Sequence, residues 1–208
     1  MADPRVQEYA RLLVERSIDV QPGSQVLVIS QPAARPLLEE VVRLIARRGA
    51  YPLVRFSYTM EQLPFRVLWA EEAPLELLDK PAPADKHVWD TVDAWMLLGA
   101  PENAREGADL PAERFSLMSK GQAEFLARRL RMEIPWVTCR FPCPALAQDA
   151  GMSLKAFEDF LFGAVLLDWD AEAEKMKRIL DRFDQANDVR IVGNETDLRF
   201  SLEGRNGE

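Results

Sequence analysis

The sequence predicts an α/β fold, in which a doubly wound, mainly parallel Rossmann-like sheet is flanked by helices and a closing β-hairpin begins a second domain. Residues 26–29 are an unbroken apolar run and residues 92–98 are apolar except for Asp93, as is typical of parallel strands buried on both faces. Segments with helical periodicity separate them, and this alternation favours a doubly wound sheet. Residues 136–141 are predicted as a further strand, because Pro135 can open a strand and Pro142 has no N–H with which to continue it.

The first part of the chain predicts a β-α-β unit. A helix to about residue 17 begins at Asp3 and Pro4, a favourable N-cap and first-turn pair. Its apolar stripe consists of Val6, Tyr9, Ala10 and Leu13. A second helix follows strand 26–29 and ends near Gly49, and its stripe consists of Leu38, Val41, Val42 and Ile45. Residues 53–58 form the next strand, and a right-handed crossover makes the two strands parallel.

The middle of the chain predicts helices on either side of the strand at 92–98. Residues 60–78 have a helical pattern, with Pro64 and Pro74 starting or interrupting turns, and residues 80–85 are predicted as a loop. Residues 112–131 are predicted as one long helix that leads into the strand opened by a proline.

Three further helices are predicted after that strand. Pro144 occupies a first-turn position, and Ser153 and Asp170 can cap the two helices that follow. The apolar faces of those two helices contain Leu154, Phe157, Leu161 and Val165, and then Met176, Ile179, Leu180 and Phe183.

The last twenty residues change character. Val189 and Ile191 alternate with polar residues, Gly193 and Asn194 offer a turn, and residues 198–203 alternate again, which predicts an antiparallel hairpin with one face to bury. A lone hairpin is marginally stable in water. We therefore expect an N-terminal α/β domain at residues 1–187 and, at residues 188–208, the start of a truncated C-terminal domain.

Composition narrows the classes of partner. The net charge is −8 and the pI is about 4.9, which argues against a nucleic-acid-binding protein, because such proteins need a cationic face. No stretch has the ~20 apolar residues of a membrane span, and the first residues do not resemble a signal peptide. A cytoplasmic location and no membrane partner are expected.

The sequence offers few candidates for catalytic or metal-binding residues. Cys139 and Cys143 form a C-x3-C pair, but His87 is the only histidine and lies far away in sequence, so free thiols are favoured over a zinc site or a disulfide. His87 is expected in a polar loop that approaches a strand, where a surface role is favoured over a catalytic one. Residues 30–34 contain no glycine, so the dinucleotide fingerprint is absent.

Acidic residues are numerous, but their pattern suggests helix faces and helix caps. The candidates are Glu71, Glu72, Asp79, Asp90, Asp93, Asp168 and Asp170. A two-metal hydrolase brings several aspartate, glutamate and histidine ligands together, and one histidine cannot supply the common mixed set. The residues by themselves therefore predict no catalytic, metal-binding or cofactor-binding residue in this chain.

Several stretches resemble the thermophilic-type metallo-aminopeptidases, the group of aminopeptidase T and aminopeptidase S. The similar stretches are residues 9–14, 20–23, 134–153, 157–160, 167–170 and 196–205. The resemblance covers essentially the whole chain. It is most specific in the central and closing stretches, while Cys139 and Cys143 stand where the family pattern leads us to expect threonine or another small residue.

The resemblance implies the N-terminal α/β domain of an enzyme that releases N-terminal residues from peptides. It also implies a homodimer and, in the complete enzyme, two divalent metal ions of the zinc or cobalt type that activate water and the scissile carbonyl. Their ligands are expected beyond residue 208, so no family ligand is carried onto this chain, Glu208 included. The chain alone is accordingly expected to be inactive.

Two other readings stay open. The chain can be a non-catalytic binding or interaction module, or a fragment of a related iron-dependent, ring-cleaving dioxygenase whose metal ligands would also lie beyond residue 208. Peptide preference, metal identity, oligomer geometry and any role of Cys139, Cys143 and His87 are not determined by the sequence.

Overall fold

A computed structural model describes residues 3–58 and 65–205. The chain divides into two compact units, Met1–Leu166 and Leu167–Glu208. A division by compactness does not test where an independently folding domain ends, so the boundary at residues 187 and 188 stays a prediction. Among the described residues, no helix is both long and apolar enough to cross a membrane.

The first unit is built on a parallel four-stranded sheet. Its strands are β1 (Gln25–Ser30), β2 (Tyr51–Phe56), β3 (Ala94–Gly99) and β4 (Trp136–Arg140). They lie in the order β2-β1-β3-β4, and all three neighbouring pairs are parallel. The α/β fold with a parallel sheet is therefore confirmed. Because successive connections run outward in opposite directions from β1 and β3, the topological switch point lies between these two strands.

Helices precede, connect and follow the strands of this unit. They are α1 (Pro4–Arg11), which continues as a π-helical segment (Leu12–Ser17), α2 (Arg35–Arg47), α3 (Arg66–Glu72), α4 (Leu75–Leu78), α5 (Pro83–Thr91), α6 (Ala112–Gly121), α7 (Ala123–Leu130), α8 (Pro144–Asp149) and α9 (Leu154–Val165). A short 3-10 turn, Pro32–Ala34, precedes α2. Helix α9 begins where predicted, because the Ser153 hydroxyl accepts a hydrogen bond from the backbone N–H of Ala156.

Apolar side chains of the central strands pack on both faces of the sheet. Val26 and Val28 of β1 join a core cluster with α1, α2 and α9. Leu27 and Ile29 point to the opposite face and join a second cluster that contains Trp89 of α5 and Phe125 of α7. Alternate residues of one strand are thus buried on opposite faces, which explains the apolar runs.

Some boundaries differ from the sequence prediction. The predicted loop at 80–85 is shorter, because α5 begins at Pro83, and His87 therefore lies in a helix and not in a loop. The long helix predicted at 112–131 is two helices, which meet at Gln122. Strand β2 begins two residues earlier than predicted and ends at Phe56. The part of the predicted helix 60–78 that precedes residue 65 lies outside the described residues.

In its described residues, 167–205, the second unit contains one helix and one hairpin. They are α10 (Trp169–Asp184), β5 (Asp188–Gly193) and β6 (Thr196–Ser201), and the two strands pair antiparallel as predicted. The predicted N-cap of α10 is wrong by two residues, because the carboxylate of Asp168, and not that of Asp170, accepts from the first backbone N–H groups. No residue of α10 is buried, and every residue of β6 is exposed.

Candidate functional site

The carboxyl ends of β1 and β3 form the switch point, which is where open α/β sheets bind ligands. Gln31 follows β1 there and is completely buried. Its backbone N–H donates to the carbonyl of Leu98 (3.1 Å), and its side-chain Oε1 accepts from the backbone N–H of Ala100 (2.5 Å). A side chain of the protein itself therefore bridges the two strand ends.

The two cysteines lie in β4 and in the turn after it, and both are free thiols, as predicted; the structure shows that both are buried. Cys143 Sγ lies 3.4 Å from the carbonyl oxygen of Pro101. Cys139 lies in the core cluster on the face of α1, where the hydroxyl of Tyr9 donates to the carbonyl of Arg140 (3.1 Å). These thiols therefore pack within the domain and connect its elements.

Burial raises the pKa values of two titratable side chains in this core, Cys139 and Tyr9. Removal from water disfavours the thiolate and raises the pKa of Cys139 to about 12, and burial likewise raises the pKa of the Tyr9 hydroxyl. A reactive cysteine needs the opposite shift, since the thiolate is the nucleophile. Cys139 is thus a core side chain and not a catalytic one.

His87 and the candidate carboxylates do not converge on a metal site. His87 is exposed on α5. Asp93 accepts a hydrogen bond from the backbone N–H of Gln25 (2.8 Å), and Asp90 pairs with Lys86 one helical turn earlier (3.0 Å). In residues 3–58 and 65–205, no group of three or more histidine, cysteine, aspartate and glutamate side chains could hold a metal ion.

A buried arginine that sequence reasoning missed lies beneath the amino ends of β3 and β4. The guanidinium carbon of Arg129 lies 4.2 Å from the ring centroid of Trp95 and 5.6 Å from that of Trp136. Its Nε is buried without a hydrogen-bond partner. Burial lowers the pKa of this guanidinium, and the aromatic faces stabilise its charge. The arrangement is a structural cation–π cluster.

A cavity beside β2 was also missed. It has a volume of about 800 Å³, which is within the usual range of small-molecule sites. Its described wall consists of Arg55, Arg66, Trp69, Leu77, Lys80, Pro81, Ala82, Pro83 and Asp85. Nothing in the sequence signals it, because the wall combines the end of one strand with three separate helices and a proline-containing connection.

The chain is similar to one family model and to several solved structures. The family model described as "Thermophilic metalloprotease (M29)" matches residues 2–206. No curated protein matches the chain significantly.

Among solved structures, the chain is similar to wild-type AmpT from Thermus thermophilus, with 20% sequence identity and a TM-score of 0.67. The match covers 95% of this chain and 53% of that one, so the chain spans about half the length of this relative. At this identity the likeness shows the fold. A putative transcription repressor of the LacI family from Corynebacterium glutamicum matches with 11% identity and a TM-score of 0.37, covering 77% of this chain and 55% of that one, a similarity too low to carry an argument.

Proposed function

Because this chain belongs to the thermophilic metalloprotease family M29, we propose that it is the N-terminal α/β part of a two-metal aminopeptidase that removes N-terminal residues from peptides. The observation that carries the proposal is the family match, which extends over nearly the whole chain. The parallel sheet and the fold shared with AmpT support it.

The two metal ions are the most specific element of this proposal. Peptidases of this kind use bound metal to polarise a carbonyl and to lower the pKa of water. The described residues do not fit such a centre, since no cluster of ligating side chains occurs among them. We therefore assign no metal ligand and no catalytic step to them, and we propose that the ligands belong to a part of the enzyme beyond residue 208.

In this proposal the sheet and its helices have a scaffolding role. They would form part of the wall around the peptide-binding space, and a homodimer would be the working unit. A cytoplasmic location belongs to the same proposal, as does the absence of nucleic-acid and membrane partners, which the acidic balance supports.

Hydrolysis of leucine p-nitroanilide tests the proposal. Residues 1–208 and the product of the complete reading frame would be assayed with added zinc or cobalt, with and without a chelator. We expect chelator-sensitive hydrolysis from the complete product and none from residues 1–208. Chelator-sensitive hydrolysis by residues 1–208 would show that the metal site lies within this chain.

The remaining readings have their own outcomes. A stop codon directly after residue 208 would favour a non-catalytic module. Cleavage of a dihydroxypyridine by the complete product with iron, without peptide hydrolysis, would favour the dioxygenase. Sedimentation of the complete product as a monomer at micromolar concentration would contradict the proposed homodimer.

A further inference from the structure

The described wall of the cavity beside β2 has more basic than acidic side chains, whereas the protein as a whole is acidic. Its described wall includes three basic side chains, Arg55, Arg66 and Lys80, and one acidic side chain, Asp85. The chain carries a net charge of −8. A local excess of positive charge in a concave, poorly hydrated wall raises the concentration of anions there.

Two of the basic groups are held in place. Arg55 follows the register of Ile29 on the neighbouring strand, so its side chain points to the face covered by α5. Its Nη1 lies 2.5 Å from Oδ1 of Asp85, and both side chains are about four-fifths buried. Arg66 is buried, and its Nη2 donates to the carbonyl oxygen of Met118 (2.9 Å). These contacts with Asp85 and with the backbone of Met118 fix the positions of the two guanidinium groups, as a preformed site requires.

The third basic group is available. Lys80 is exposed, and within the described residues it makes no ion pair or hydrogen bond. Because the ion pair of Arg55 with Asp85 is electrically neutral, Lys80 adds a positive charge to the described wall that this pair does not balance. An ammonium on a flexible stem can follow an anion that enters.

The rest of the described wall is apolar. Trp69 and Leu77 remain 43% and 49% exposed, although such large apolar side chains lose favourable free energy in contact with water. Pro81, Ala82 and Pro83 add a rigid apolar side with few backbone donors. A ligand that fills this space must therefore be mainly apolar.

We propose that this cavity binds a small organic anion, namely an apolar body that carries one carboxylate. The carboxylate would lie near Lys80 and the anchored guanidinium groups, and the apolar body would cover Trp69 and Leu77. A fatty or aromatic acid and the C-terminus of a short apolar peptide share this chemistry. The proposal does not depend on the proposed peptidase function, and its test needs no turnover.

Calorimetric titration of residues 1–208 with two matched pairs of probes tests the proposal. The first pair is 4-phenylbutyrate and 4-phenylbutanol, and the second is N-acetyl-Leu-Phe and its C-terminal amide. We expect one or both acids to bind, each at least about tenfold more tightly than its neutral partner, since a well-placed charge pair is worth that factor. Binding should weaken as salt is added. Which acid binds more tightly identifies the source of the carboxylate.

Three variants link that binding to the cavity. Lys80→Glu removes the excess positive charge and should weaken binding of the acids by about fivefold or more. Ala82→Phe should abolish binding by filling the space, and the exposed position of Ala82 permits the larger side chain. Lys155→Glu makes the same charge change at an exposed site on α9 and should leave the affinity within about twofold.

Each contrary result would overturn the proposal. These results are no binding of either acid at millimolar concentration, equal binding of acids and neutral partners, or unchanged affinity in Ala82→Phe. Circular dichroism of each variant excludes loss of folding as the cause of lost binding.

Discussion

Gln31 and Ala100 are 69 residues apart in sequence, and the side-chain Oε1 of the first accepts a 2.5 Å hydrogen bond from the backbone N–H of the second. This contact joins the carboxyl ends of β1 and β3 at the switch point of the sheet. In similar α/β folds that bind nucleotides, the nucleotide occupies this position. Here a buried amide replaces it, which agrees with the absence of a glycine-rich phosphate loop.

Gln31→Leu should destabilise the protein by about 1–3 kcal/mol. The substitution keeps the volume but leaves the buried N–H of Ala100 without its acceptor, and a buried unsatisfied donor costs about that much. The free energy of unfolding in urea measures the effect. Gln148→Leu, at an exposed position of α8, is the control and should change stability by less than about 0.5 kcal/mol. Equal effects of the two substitutions would show that the bridge contributes nothing.

Substitution of alanine for two helical glycines should change the stability of the protein in opposite directions. A Cβ on Gly121 would lie 2.9 Å from the carbonyl oxygen of Leu78, so Gly121→Ala should force α6 away from α4 and cost about 1–3 kcal/mol. A Cβ on Gly163 would meet nothing within 4 Å, so Gly163→Ala should stabilise α9 by about 0.5–1 kcal/mol. Thermal unfolding measures both changes. A stabilising Gly121→Ala would contradict the close approach of the two helices.

Arg129→Lys should destabilise the protein although it keeps the charge. The planar guanidinium stacks on Trp95, whereas an ammonium is more strongly hydrated and cannot stack, so we expect a loss of about 1–2 kcal/mol. Urea unfolding, followed by tryptophan fluorescence, measures it. Arg131→Lys is the control, because Arg131 is exposed, and it should have little effect. If Arg129→Lys leaves the free energy of unfolding unchanged, the site requires a buried cation but not its stacking on the tryptophan ring.

The raised pKa of Cys139 predicts a loss of stability at alkaline pH. An unfolded cysteine titrates at about 8.5, whereas the folded thiol titrates at about 12. The folded state therefore binds this proton more tightly, and its contribution is complete below pH 8.5 and is lost as the pH rises toward 12. Between pH 9 and 11 the free energy of unfolding of the wild type should decrease with pH. This decrease should be steeper than that of Cys139→Ala by about 1.4 kcal/mol per pH unit.

Urea titrations at pH 8, 9, 10 and 11 give the two slopes for this comparison. The pKa of Tyr9 is raised mainly by burial, which both proteins share, and in smaller part by Cys139, so the difference between the slopes reports Cys139 together with its effect on Tyr9. Identical slopes for the wild type and Cys139→Ala would contradict the raised pKa of the thiol.

The alternation of apolar runs and helical stripes was sufficient to predict the parallel sheet, because its two central strands, β1 and β3, are buried on both faces and are therefore almost entirely apolar. Prolines marked the ends of β4 and the start of α8 for a similarly local reason, since they lack an N–H. Ser153 capped its helix as predicted. The sequence did not predict the break between α6 and α7 at Gln122, because the helical pattern of apolar residues continues there although the backbone turns. His87 was assigned to a loop because Pro81 and Pro83 suggested one, but a proline in the first turn also starts a helix.

Reading the sequence alone was enough for the α/β class, the free state of the two thiols and the family, because these depend on local periodicity, on residue type and on motifs along the chain. Tertiary structure alone decided that Gln31 meets Ala100, that Arg129 stacks on Trp95 and that Arg55 meets Asp85 in the wall of a cavity. Each of these contacts joins residues that lie 30 to 69 positions apart in sequence. Their energy depends on burial and on distance, and neither exists until the strands have paired and the helices have packed.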